Sequence, residues 1–83
     1  MGAIIISAFM FNTYDVVKTG NRRYIIIATN SSNTTFKAIA DTKEIRKKIA
    51  MGDQPEDFSK EKHYVLRTNK QSLKYVETLG MAC

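Results

Sequence analysis

The sequence predicts an α+β fold: a small, mostly antiparallel sheet in about the order β-β-β-β-α-β-α, with two short helices packed on one face. The first half contains runs rich in Ile, Val, Tyr and Phe, separated by polar turns, a pattern typical of strands. The second half contains two stretches in which a strand-like run precedes a capping residue, helix-spaced aliphatic residues and a glycine. A chain of 83 residues has the size of one domain, which we place at residues 1–83.

The first predicted strand covers residues 4–11, where apolar side chains occupy both alternating faces. A secretory signal would need a positive charge before this run, and the first basic residue is Lys18. The run is also too short to cross a bilayer as a helix. We therefore expect a buried strand, no membrane association and a cytoplasmic protein.

The next two strands, residues 14–19 and 22–29, are predicted to form a hairpin closed by Gly20-Asn21. Glycine suits the first central position of a type II′ turn, which requires a positive φ. This register pairs Val16 with Ile25, Tyr14 with Ile27 and Lys18 with Arg23. The polar stretch that follows contains N-x-[ST] matches at Asn30 and Asn33, which we interpret as turn residues.

Two strand–helix units are predicted in the second half. The first has a strand at residues 36–40, an N-cap at Asp41 or Thr42, buried positions at Ile45 and Ile49, and a stop at Gly52. The second has a strand at residues 64–68, Asn69 as N-cap, Gly80 as stop, and an apolar helix face formed by Leu73, Val76 and Leu79. Corresponding positions are 28 residues apart, which fits either a duplication or coincidence. The acidic connector 52–62 contains Pro55, which should prevent a helix or central strand there.

The predicted helices supply five large aliphatic side chains, too few to cover a sheet that is apolar on both faces. Two explanations remain open: a homodimer through the sheet, or loop residues such as Phe58 and Met81 folded over the second face. The predicted dimer interface consists of Ile4, Ile6, Phe9, Phe11, Ile25 and Ile27.

The net charge of +5 is distributed as two basic regions, residues 1–52 and 62–83, separated by the acidic connector. Within the first region, one basic cluster lies at the hairpin tip and another on the first helix, where Glu44 is placed to pair with Lys48. We expect these clusters to bind the acidic surface of another protein or, alternatively, nucleic acid, although basic faces are often simply solvated. The predicted partner-binding residues are Lys18, Arg22, Arg23, Lys43, Arg46, Lys47 and Lys48.

No catalytic, metal or cofactor site is predicted. His63 is the only histidine, and Cys83 is the only cysteine, which excludes an intrachain disulfide and a cysteine metal cage. A small chain rich in Ile, Lys and Asn is typical of phage and mobile-element accessory proteins. We therefore expect a non-enzymatic protein that inhibits or modulates a larger host protein, for which a defence protein is one candidate. The alternatives are a small nucleic-acid-binding protein and an antitoxin-like or structural subunit.

Overall fold

A computed structural model describes residues 10–80 of the chain. Its elements are β1 (Asp15–Thr19), β2 (Arg22–Thr29), β3 (Thr35–Ala40), α1 (Lys43–Ala50), a 3₁₀ turn (Pro55–Phe58), β4 (Tyr64–Arg67) and β5 (Lys74–Thr78). The strands form one antiparallel sheet in the order β4-β3-β2-β1-β5. An α+β class with a small antiparallel sheet is confirmed. The predicted pair of helices is replaced by one α-helix and one 3₁₀ turn. The predicted strand 4–11 lies outside the described residues except for its last two positions, which are not in a strand.

The predicted hairpin is confirmed in turn and register. Gly20 has φ +62° while Asn21 does not have a positive φ, as a type II′ turn requires. The ladder ends at the pair Val16–Ile25, so the predicted partnership of Tyr14 with Ile27 is wrong. Tyr14 instead adopts φ +73°, and its N–H donates to the Ile26 carbonyl at 2.6 Å. The pairing of β2 with β3 is irregular between Ile26 and Ala28, which indicates a β-bulge there.

The first strand–helix unit is also confirmed. Thr42 is the N-cap, and its Oγ1 accepts a hydrogen bond from the Ile45 N–H at 3.1 Å. Ile45 and Ile49 are buried on one side of α1. The helix ends before Gly52, whose φ of +101° suits glycine better than any other residue.

The strand of the second unit is confirmed by β4 at Tyr64–Arg67. The helix of this unit is wrong, because residues 74–78 form a strand. Tyr, Val and Thr favour extended backbone, and β5 pairs along β1, which would otherwise have unpaired backbone groups on that side. The three residues assigned to one helix face divide between the two sides of the sheet. Leu73 packs on one core cluster, whereas Val76 and Leu79 pack on the other. The spacing of 28 residues therefore does not mark a structural repeat.

Two apolar clusters, one on each face of the sheet, make up the core. The helix-side core consists of Val16, Ile25, Ile27, Ile39, Ile45, Ile49 and Phe58. The opposite core consists of Phe11, Val17, Tyr24, Ile26, Phe36, Ala38 and Leu66. Both faces are thus covered within one chain, so the expected imbalance between sheet and helix does not call for a second copy.

Three residues of the predicted dimer interface lie in the core clusters of the single chain. Phe11, Ile25 and Ile27 expose 5%, 0% and 7% of their surface. Ile4, Ile6 and Phe9 lie outside the described residues. The homodimer itself stays a prediction.

Loop side chains cover part of the sheet. Phe58, on the 3₁₀ turn, is buried in the helix-side core, as the loop explanation expected for that residue; Met81 lies outside the described residues. The proposed turn role of Asn33 is confirmed by its φ of +58°. Its side chain accepts from the Phe11 N–H at 2.9 Å and donates to the Phe11 carbonyl at 2.7 Å. Asn30 acts similarly, since its Oδ1 accepts from the backbone N–H of Thr34 at 2.9 Å.

Candidate binding surface

Three cations lie side by side across the hairpin end of the sheet. Lys18 on β1 is the register partner of Arg23 on β2 and also of Lys74 on β5. Successive residues of a strand point to opposite faces, so Lys18 lies on the same face as Val16, the helix side. Side chains directly opposite in adjacent strands have Cβ atoms about 5 Å apart. We call these residues the cationic row: Lys74, Lys18 and Arg23.

No carboxylate pairs with the cationic row within residues 10–80. Both ion pairs in this part of the chain are made by Arg46. All members of the row are exposed, so water and dissolved ions solvate them. Like charges at directly opposite sheet positions repel one another, and a negatively charged partner would relieve that repulsion.

Lys74 was missed by the sequence-based reasoning because its segment was assigned to a helix. A strand at residues 74–78 places it beside Lys18 and extends the predicted hairpin cluster onto a third strand. The signal that could have found it is the β-forming run Tyr-Val-Glu-Thr that follows it directly.

The two predicted basic clusters adjoin each other where α1 begins. The Asp41 N–H donates to the Arg23 carbonyl at 3.2 Å, which brings the start of α1 beside the hairpin end. Lys43 is the first residue of α1, and Lys47 and Lys48 lie about one turn further along; all three are exposed. The predicted Glu44–Lys48 pair is not among the ion pairs of the described residues.

Arg46 differs from the other predicted partner-binding residues because its guanidinium is already engaged. Nε and Nη2 donate to the two carboxylate oxygens of Asp41 at 2.6 and 2.8 Å, and Nη1 donates to Glu77 Oε2 at 2.7 Å. Hydrogen bonds from Arg46 to Asp41 and then Glu77 raise the pKa of Arg46 above its ordinary value. The Asp41 side chain is only 7% exposed. Arg46 therefore joins α1 to β5 and to its own entry loop, and we assign it a structural role.

The acidic connector lies beyond the other end of α1. The Asp53 N–H donates to the Lys48 carbonyl at 3.0 Å, so the connector begins where the helix ends. A helix of eight residues is about 12 Å long. Tyr14 contacts the connector through its hydroxyl, which donates to the Asp53 carbonyl at 2.6 Å. Burial, and then the nearby charges of Asp53, Asp57 and Glu56, raise the pKa of Tyr14. The hairpin cluster thus lies beside the start of α1 and the acidic connector beside its end, with Lys47 and Lys48 in the last turn.

The described residues contain no group of three or more His, Cys, Asp or Glu side chains placed to hold a metal ion. His63 precedes β4 and is half-buried, and Cys83 lies outside the described residues. None of the helices within residues 10–80 is long and apolar enough to cross a membrane. Comparisons with protein-family models, with curated proteins and with solved structures found no match to this chain.

Lys18→Glu is expected to stabilise the folded protein by about 0.5 kcal/mol, because a carboxylate would then lie between Lys74 and Arg23. Lys18→Gln, which removes the charge without reversing it, should give a smaller gain. Urea unfolding at low and high salt measures both, and the gain should shrink as salt screens the charges. A Lys18→Glu variant less stable than the starting protein would contradict the repulsion assigned to the cationic row.

Proposed function

We propose that this chain is a non-enzymatic binding protein that docks the cationic row onto an acidic surface of a larger protein and thereby inhibits or modulates it. The observation that supports the proposal is the alignment of Lys74, Lys18 and Arg23 across three strands with no carboxylate partner in the described residues. The sheet fixes the spacing of the three Cβ atoms, so the three charges stay within reach of one acidic surface.

The binding surface extends from the row onto neighbouring exposed residues. Lys43, Lys47 and Lys48 continue the surface along α1. Arg22 lies at the same end of the hairpin but on the opposite face of the sheet, because it alternates with Arg23 along β2. Charges at the rim of an interface mainly accelerate association and make it sensitive to salt. We expect the complex to weaken steeply with ionic strength because the contacts are exposed.

The composition supports the kind of partner. The chain is small, basic and rich in Ile, Lys and Asn, as in accessory proteins of AT-rich phages and mobile elements. The proposed target is accordingly a host protein in the cytoplasm, of which a defence protein is one candidate.

Nucleic acid is the alternative partner, since phosphates could occupy the cationic row equally well. Single-stranded binding usually adds aromatic side chains on which bases stack. The partly exposed Tyr75 pairs with Val17 and therefore lies on the face opposite the row. The row itself thus has no stacking platform beside it among residues 10–80, which favours a protein partner.

The experiment compares two charge-reversed variants of the full chain with the starting protein. One carries Lys18→Glu, Arg23→Glu and Lys74→Glu, and its matched control carries Lys60→Glu, Lys62→Glu and Lys70→Glu, which change the net charge equally at other exposed lysines. Capture from host lysate, quantified by mass spectrometry, should recover a specific protein with the starting chain and the control but not with the row variant. Equal recovery by the row variant would contradict the proposal.

Two further measurements separate the alternatives. Binding of generic DNA or RNA at about 50 mM salt, lost in the row variant, would favour a nucleic-acid partner instead. Light scattering tests the predicted homodimer, since a mass of 9.4 kDa corresponds to one chain.

A further inference from the structure

A shallow apolar trough of about 230 Å³ crosses β2, β3 and β4 at the end of the sheet opposite the cationic row. Its centre is a second row of register partners, Ala28 with Lys37 and Lys37 with Val65. α1 packs on the same face of the sheet but does not cover this part of it, since all three residues are exposed and Val65 exposes 53% of its surface. The residues that line the trough are Ala28, Thr29, Asn30, Thr35, Phe36, Lys37 and Val65.

The trough opens onto the free edge of β4, where backbone groups of Val65 point outward. The Thr68 N–H donates to the Thr34 carbonyl at 3.0 Å, so these opposite residues form a hydrogen-bonded pair. Hydrogen-bonded and non-hydrogen-bonded pairs alternate along an antiparallel ladder. The pair Lys37–Val65, three positions along in the same register, is therefore non-hydrogen-bonded. The N–H and C=O of Val65 thus point away from β3, toward an edge where residues 10–80 supply no further strand.

Arg67, the next outward-pointing residue along the edge of β4, already has hydrogen-bond partners within the chain. The Arg67 N–H also points outward, but it donates to Gln71 Oε1 at 3.4 Å. The Arg67 carbonyl accepts from the N–H groups of Lys70 and Gln71 at 3.1 and 3.2 Å. Such a cap prevents unlimited edge-to-edge pairing. The outward N–H and C=O of Val65 lie beside this cap, and they can pair with a short extended segment.

The positive charges beside the trough indicate which side chains a bound segment should carry. Lys37 lies within the trough row, and Arg67 lies two residues from Val65 and therefore on the same face. Neither Lys37 nor Arg67 takes part in the two ion pairs of the described residues, because Arg46 makes both of those pairs. On an added strand, an apolar side chain and carboxylates two residues away from it share one face, so they can meet the apolar floor and the two cations together.

We propose that the trough and the open edge at Val65 bind a short extended acidic segment of a partner protein. Its backbone pairs with the N–H and C=O of Val65, one apolar side chain lies in the trough, and its carboxylates contact Lys37 and Arg67. This mode of recognition adds a strand to a sheet edge, with backbone hydrogen bonds giving affinity and side-chain pockets giving specificity. The surface is separate from the cationic row and does not depend on the function proposed for it.

The probe is the acetylated hexapeptide Glu-Thr-Val-Thr-Glu-Thr, whose Val and Glu side chains share one face of an extended strand, and the comparison peptide has Lys in place of both Glu residues. Titration into the ¹⁵N-labelled full chain should shift the amide resonances of Ala28, Lys37 and Val65 with the Glu peptide and not with the Lys peptide. Resonance shifts centred on Lys18 and Arg23 would show attraction to the cationic row and overturn the proposal. Shifts at Val65 that depend on protein concentration without peptide would assign the trough to a second copy, which also overturns it.

Two substitutions at one position test the backbone contact. Val65→Pro removes the outward N–H without removing a ladder hydrogen bond, because proline is tolerated on edge strands at such positions. It should weaken binding of the Glu peptide about tenfold, as expected for about 1.4 kcal/mol. Val65→Thr keeps the N–H and the β-branched shape and should bind nearly as well as the starting protein. Equal binding by the proline and threonine variants, with both folded by the spread of their amide resonances, would exclude strand addition at Val65.

The charge contact is tested by Lys37→Glu. This variant should lose the Glu peptide and gain affinity for the Lys peptide, because the trough row would then carry a carboxylate. An unchanged preference for the Glu peptide would exclude Lys37 as the recognition residue and contradict the stated chemistry of the partner.

Discussion

Phe58→Ala is expected to destabilise the protein by about 3–5 kcal/mol, the usual cost of truncating a buried phenylalanine. The ring lies on the 3₁₀ turn, is 1% exposed and packs edge-on against Tyr14, with ring centroids 6.5 Å apart. A domain of 83 residues has roughly 4–12 kcal/mol of stability in total. The variant should therefore be largely unfolded at moderate temperature, and urea unfolding followed by circular dichroism measures the loss.

Met51→Ala is the matched control for Phe58→Ala. Met51 is also a large apolar residue that follows α1 closely, but it is 74% exposed. Its truncation should change the free energy of unfolding by less than about 0.5 kcal/mol. If both variants behaved alike, the connector would not be packed onto the helix-side core.

Arg46→Ala is expected to cost about 2 kcal/mol, more than removal of any other cation on α1. The substitution leaves the 7% exposed Asp41 carboxylate without its two charged donors and also releases Glu77. Removing one partner of a buried pair costs more than the pair contributes, because the other charge stays desolvated. We place the loss below the range for fully buried pairs because the Arg46 side chain is 31% exposed.

Lys47→Ala is the control for Arg46→Ala, since it removes the same charge from the next helix position, where the side chain is exposed. Its effect should stay within about 0.5 kcal/mol. Arg46→Lys should recover part of the loss, because an ammonium keeps the charge but cannot form the two-pronged contact with Asp41. Equal stabilities of the two alanine variants in urea unfolding would contradict the structural role of Arg46.

These expectations change how the basic surface should be probed. Charge reversal on α1 that includes Arg46 would damage the fold as well as any binding site, so a loss of activity could not be assigned to either. The cationic row avoids this problem, because Lys18, Arg23 and Lys74 are exposed and make no ion pair within residues 10–80. Its reversal should leave the fold intact.

Local patterns were sufficient for the hairpin and the first helix. Gly20 fixes the turn because its positive φ, required at the first central position of a type II′ turn, favours glycine over other residues. Thr42 and Gly52 bracket a helix whose two isoleucines recur at a spacing of four residues. These signals come from neighbouring residues along the chain, so they can be recognised without knowledge of the fold. They also placed Lys18 opposite Arg23 correctly.

The sequence by itself therefore determined the α+β class, the hairpin register, α1 and the excess of positive charge. The tertiary structure alone decided that residues 74–78 form β5, that Lys74 joins Lys18 and Arg23, and that Arg46 is occupied by Asp41 and Glu77. The physical reason is that each of these includes a partner 31 to 63 residues away along the chain, such as Glu77 for Arg46 and Thr78 for Asp15. The Arg46–Asp41 contact, at five residues, is local. The helix-like spacing of Leu73, Val76 and Leu79 competed with the β preference of Tyr75, Val76 and Thr78, and pairing with the edge of β1 selected the strand.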